Sequence, residues 1–169
     1  DDKVTLIGSS QIDTELRDIS EYTIQINDDI INIYSLHLKA SQGYSSQRLE
    51  EIQQLHEELD DSHPYIVAGD FNIYNSSESG YVYMMNNMGL SDPINSSGNW
   101  HNNSTYSLIH TQSTRDNNES DGGASGGMDD RFDQILVSDG FSIIEDSYTA
   151  YGNDGNHFNE SINDGSNSS

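Results

Sequence analysis

The stretch Pro64–Asn72, PYIVAGDFN, decides how the rest of the chain is read. Tyr65, Ile66, Val67 and Ala68 form a short apolar run with β-branched members, the pattern of a buried strand. Gly69 ends it, and a carboxylate (Asp70), an aromatic ring (Phe71) and a carboxamide (Asn72) follow at once. Such a strand delivers a charge and an amide to the rim of a sheet, where ligand sites of layered α/β folds lie. A strand followed by an Asx-turn accounts for the last four residues taken alone. Other polar clusters that close apolar runs along the chain shift that balance.

Upstream, Val4–Gly8 and Glu21–Asn27 read as strands. Ile30–Leu38 (IINIYSLHL) reads as a third, hairpin-paired with the second through Asp28-Asp29 and ending on His37. Ser46–Leu59 places Leu49, Ile52, Leu55 and Leu59 on one helical face, with Ser45 or Ser46 as N-cap. The order strand–helix–strand sets the third strand and Tyr65–Ala68 in one sheet. Downstream, Glu78–Met88 is a second helix whose Tyr and Met side chains fit core packing. Leu90–Gly127 is irregular, rich in Asn, Ser and Gly, and holds His101, His110 and Arg115. Its Gly122–Gly127 run lacks the Lys and the following helix of a phosphate loop and reads as a flexible lead-in. Ile135–Val137 is a buried strand with Arg131 and Asp133 at its entry, and Phe141–Ile144 starts another. Tyr151–Asn159 is a turn-rich loop carrying Asp154 and His157, and 161–169 is a flexible tail.

At 169 residues the chain is one domain or a large part of one. Twenty-nine Asp and Glu against six Lys and Arg give a formal charge of −23, which repels bare polyanions and favours divalent cations. A solvated, salt-adapted surface explains most of that charge. With no cysteine, disulfides and thiolate metal sites are excluded. No apolar run is long enough to span a membrane. The acidic, Asn- and Ser-rich, cysteine-free composition fits secretion by a salt-exposed bacterium.

Four polar elements therefore sit at the ends of apolar runs: His37, Asp70 with Asn72, Asp133, and Asp154 with His157. In this order, the words SLHLKAS, PYIVAGDFN, DDRFDQILVS and YGNDGNHFN resemble the endonuclease/exonuclease/phosphatase superfamily, the DNase I-like fold. The resemblance runs from about Ile30 to Asn159. It implies an α/β (α+β) chain, part of a four-layer α/β/β/α sandwich with mixed sheets flanked by helices. Residues 1–160 would be the C-terminal portion of that domain. Nothing before His37 matches the early Asn and the metal-binding Glu of the family, so an N-terminal half of the same domain is an expected partner.

The implied activity is metal-dependent hydrolysis of a phosphodiester, nuclease-like, with Mg²⁺, Mn²⁺ or Ca²⁺ as cofactor and nucleic acid as the favoured substrate. Carried over by position, His37 hydrogen-bonds a phosphate oxygen, Asp70 activates the attacking water, and Asn72 holds water or phosphate. Asp133 orients His157, which acts as general acid/base, and Asp154 joins Asp70 in holding the metal. A strict overlay on His157 puts Asn156 at the metal position; Asp154 reaches it only through a small bend at Gly155-Asn156. His110, Arg115 and Arg131 are the expected positive contacts to substrate, and the chain is expected to be monomeric. Two other readings stand beside this one. The first is a catalytically incomplete acidic domain of the same fold that binds cations or a partner. The second is a salt-adapted domain whose rim residues are only turns and caps.

Overall fold

The computed structural model describes residues 3–112, 115–117, 120 and 125–166. Five strands form one mixed sheet in sequence order: β1 (Val4–Ile12), β2 (Ile19–Ile26), β3 (Asp29–His37), β4 (Tyr65–Asp70) and β5 (Asp133–Val137). The β2–β3 hairpin is antiparallel, β3 and β4 run parallel, and β5 returns antiparallel to β4. The parallel pair is what the intervening helix α1 (Ser45–Glu58) makes possible, since a parallel connection must cross back over one face. A second helix, α2 (Ser79–Asn87), follows β4 and packs on α1.

Strand alternation sorts the two faces. Tyr34, Leu36, Tyr65, Val67 and Leu136 are buried and join Ile52, Leu55, Tyr81, Met84 and Trp100 in one core. The opposite face is half-open: Ile33, Ile66 and Ala68 are partly buried, Ser35 and His37 are exposed, and Ile135 keeps 42% of its surface. The described residues thus supply a sheet and a helical layer, an α/β arrangement. No helix among them is long and apolar enough to cross a membrane.

Two local expectations are corrected. Helix α1 opens on Tyr44, whose side chain makes no capping hydrogen bond, because a 3₁₀ turn over Gln42–Tyr44 feeds straight into it; Ser45 and Ser46 lie inside the first turn. Phe141–Ile144 forms no strand, and Ile143 and Ile144 are exposed. The described residues of Leu90–Gly127 are irregular apart from a 3₁₀ helix over Ser104–Ile109. Gly122, Gly123 and Ala124 of the glycine run lie outside the described residues, as do 167–169 of the tail.

Gly69 is a position where only glycine fits. Its φ is +141°, and a Cβ there would stand 2.0 Å from the carbonyl oxygen of Leu36 on β3. Gly69→Ala is expected to cost about 1–3 kcal/mol in urea unfolding, the usual range for backbone strain of this kind.

Candidate active site

The register of the sheet brings three predicted residues into one row. His37 pairs with Asp70 across β3–β4, and Asp70 pairs with Asp133 across β4–β5. All three sit at the same end of adjacent strands and on the half-open face. His37 Nε2 lies 3.3 Å from Asp70 Oδ2, with the two side chains 48% and 32% exposed. The Asp133 carboxyl is raised above the usual carboxylate range, chiefly by burial, then by the like charge of Asp70, with His37 opposing.

Several groups fix this row, and most were not legible from the sequence. Arg17 donates from Nε to the His37 carbonyl (2.8 Å) and from Nη2 to the Leu38 carbonyl (2.7 Å), clamping the end of β3. Asn72, at φ +50°, donates its backbone N–H to Asp70 Oδ1 and its side-chain amide to the Leu38 carbonyl, both at 3.0 Å. It is 5% exposed. The Asx-turn and the rim site are therefore both present in GDFN. Thr111 Oγ1 accepts the backbone N–H of Asp133 at 2.9 Å. Past β3, Arg48 Nη1 donates to the carbonyls of Lys39 and Ser41 while its Nε donates to Glu78 at 2.6 Å, tying the rim to both helices.

Other expected site residues are placed elsewhere. His157 does not pair with Asp133. Its Nδ1 donates to Asp154 Oδ1 (3.0 Å) and its Nε2 to the Asp164 carbonyl (2.8 Å), so both ring nitrogens are committed to its own loop. The Asp164 carbonyl, and then Asp154, favour the imidazolium and raise its pKa. His157 thereby ties together the loop over 154–164. Asp154 is committed to the same turn, where its Oδ1 also accepts the Asn156 N–H, and it does not join Asp70 in a metal-ligand group. The bend at Gly155-Asn156 thus serves that pairing.

Arg131 is placed in the interior, away from the solvent. Its side chain is fully buried, donates to both oxygens of Asp92 (2.6 and 2.8 Å), and lies 5.6 Å from the Trp100 ring centroid. His110 is also fully buried, with Nδ1 3.2 Å from the Met128 carbonyl and Nε2 2.8 Å from the Trp100 carbonyl. Burial lowers its pKa against those two acceptors. It stitches two loops together from the interior. Arg115 belongs to the loop between them, bridged through its backbone to Ser125. The expected positive patch over His101–Arg115 is accordingly not built from His110.

Among the described residues, one group of three presents metal-ligand atoms within 4.8 Å of one another: His101, Asp129 and Asp130. His101 Nδ1 donates to both oxygens of Asp130 at 2.9 and 3.0 Å. Burial pushes the Asp130 carboxyl up to about 7, against the pull of His101. A folded-state value above the ordinary 3.8 means the native protein holds this proton more tightly than the unfolded chain. The penalty is absent at low pH and grows as pH rises through that window. Asp130→Asn is therefore expected to gain roughly 2–4 kcal/mol on wild type between about pH 4 and pH 8, at 1.36 kcal/mol per unit. Urea unfolding of both proteins at the two pH values checks it; parallel pH dependence refutes it.

No protein-family model matches the sequence, and no curated protein is significantly similar to it. Solved structures do match. The human Nocturnin catalytic domain with bound sulfate aligns at TM-score 0.54 and 20% identity, over 80% of this chain and 48% of that one. TDP2 of D. rerio in complex with a single-strand DNA product aligns at 0.55 and 18%, over 80% and 53%. A mannosyl-6-phosphatase of Bacteroides thetaiotaomicron aligns at 0.52 and 17%, over 82% and 54%. The chain thus spans about half the length of these neighbours, all of which belong to the superfamily resembled by its motifs. At such identities the shared property is architecture: the mixed sheet and its flanking helices match about half of the DNase I-like fold of these neighbours.

Proposed function

We propose that this chain carries part of the active face of a divalent-metal-dependent phosphodiester hydrolase, nuclease-like in substrate. The observation that supports it most is the His37–Asp70–Asp133 row, three chemically apt side chains set side by side by strand register. His37 is exposed enough to donate to a phosphate oxygen. Asp70, fixed by the Asn72 N–H on one oxygen, orients or deprotonates the attacking water with the other.

The donor set suits a hard cation. Asp70 and Asp133 are carboxylates one strand apart whose repulsion a cation relieves, and Mg²⁺ is commonly held by one or two carboxylates plus substrate oxygens. Such an ion, when bound, supplies charge stabilisation to the phosphate in the transition state. A TDP2 neighbour in complex with a DNA product supports the nuclease-like choice. Because Arg48 and Arg131 are spent on buried carboxylates, the cation rather than a basic track must offset the polyanion. Hydrolysis of a chromogenic phosphodiester in Mg²⁺ or Mn²⁺ tests the proposal: turnover should stop on chelation, and turnover indifferent to chelator contradicts it.

A second reading is supported by the His101–Asp129–Asp130 group: a cation-binding domain of this fold without turnover of its own. Saturable Mn²⁺ binding in a chain that hydrolyses nothing would favour it.

A further inference from the structure

Pairing of β3 with β2 stops at Ser35 opposite Ser20, short of His37. On its other side β3 stays bonded to β4, where the Leu38 N–H donates to the Asp70 carbonyl at 2.9 Å. The carbonyl of that same peptide unit, His37 C=O, points the opposite way, to the side where β2 pairing has ended. Arg17 supplies the donor there. Its Nε donates to the His37 carbonyl at 2.8 Å and its Nη2 to the Leu38 carbonyl at 2.7 Å. A planar guanidinium fork spans two successive carbonyls; a single ammonium does not. The Leu38 carbonyl also accepts from Asn72 Nδ2 at 3.0 Å, and the Asn72 N–H holds Asp70 Oδ1. His37 and Asp70 are thus both tied to a carbonyl that Arg17 grips.

The loop that presents Arg17 is itself held. Thr14 Oγ1 donates to the Arg17 carbonyl at 2.8 Å and accepts the Arg17 N–H at 3.2 Å. The Thr14 N–H donates to Asp18 Oδ1 at 3.3 Å, and Gln54 of α1 donates to the Asp13 carbonyl. Arg17 is exposed, so its replacement opens no cavity in the core.

We infer that Arg17 is a positioning residue for the row: it fixes the end of β3 so that the His37 imidazole, 3.3 Å from Asp70, is aimed at a phosphate oxygen. The role rests on the phosphodiesterase reading. Asp70 keeps its bond from the Asn72 N–H without Arg17, so the base stays in place and the aim of the imidazole is what is lost.

Hydrolysis of a chromogenic phosphodiester by the whole chain in Mn²⁺ tests it, with binding of inorganic phosphate followed by calorimetry. Arg17→Ala should raise KM about tenfold, keep kcat within about twofold, and weaken inorganic phosphate about as much as KM rises. Arg17→Lys keeps the charge and loses the fork, so its KM should stay at least about fivefold high. Millimolar guanidinium ion should lower the KM of Arg17→Ala and leave that of wild type unchanged. An unchanged KM in Arg17→Ala, or full recovery in Arg17→Lys, overturns the positioning role; if wild type still turns over the diester, that role alone falls. A wild type that neither hydrolyses the diester nor binds phosphate in Mn²⁺ overturns the phosphodiesterase reading, and the role of Arg17 goes with it.

Discussion

Arg131→Ala is expected to destabilise the protein by about 3–5 kcal/mol, a large share of the roughly 5–15 kcal/mol that keeps a domain folded, without a selective effect on substrate binding. The guanidinium is wholly buried and donates to both oxygens of Asp92, itself almost fully buried. Asp92 also accepts from the Tyr81 hydroxyl at 2.8 Å and from the Ile94 N–H at 3.1 Å, so it stays in place when its cation is removed. An uncompensated buried carboxylate then dominates the cost. Replacing both partners, as Arg131→Met with Asp92→Leu, should recover a large share of the loss, because the desolvation penalty disappears with the second charge. Urea unfolding of the two single variants and the double variant measures this. A well-folded Arg131→Ala protein with only a raised KM would return Arg131 to the substrate.

Asp70→Asn is expected to behave in the opposite way: little change in stability and a loss of metal-dependent hydrolysis of at least about a hundredfold, the usual range for a general base. The carboxamide retains an oxygen for the Asn72 N–H, so the turn after β4 survives. What disappears is the negative charge beside His37 and next to Asp133 in the row. Asp133 titrates upward partly because of Asp70, so the same variant should lower the Asp133 pKa, which carbonyl-carbon NMR reads directly. Loss of activity with an unmoved Asp133 would show that the two carboxylates do not share a field.

What the sequence shows well is whatever depends on nearest neighbours along the strand. The Tyr65–Ala68 run, its glycine and the carboxylate after it fix β4 and its rim. The strand–helix–strand order fixes the parallel pairing that sets His37 beside Asp70. The positions that misled are those whose environment comes from far along the chain. Arg131 looks like a strand-entry charge, yet its partner Asp92 lies 39 residues earlier. Arg17 carries no motif, and its targets lie 20 and 21 residues ahead.

The pairing of His157 differs from the expected one for the converse reason. A turn-rich YGNDGNH stretch lets the ring reach Asp154 three residues back, and that local contact wins over the distant Asp133. Asn72 lies at the expected rim, and its carboxamide holds a backbone carbonyl, which it can do as readily as hold a water. The His101–Asp129–Asp130 group left a trace in the sequence only as an unassigned His in a long loop and an Asp pair before Arg131.

Crystals of the chain soaked with Mn²⁺ and phosphate, read by anomalous scattering, address the row most directly. The expected result is an ion about 2.1 Å from an Asp70 carboxylate oxygen, with a phosphate oxygen within hydrogen-bond reach of His37 Nε2. An ion bound only among His101, Asp129 and Asp130, with no density over the ends of β3 and β4, would contradict it.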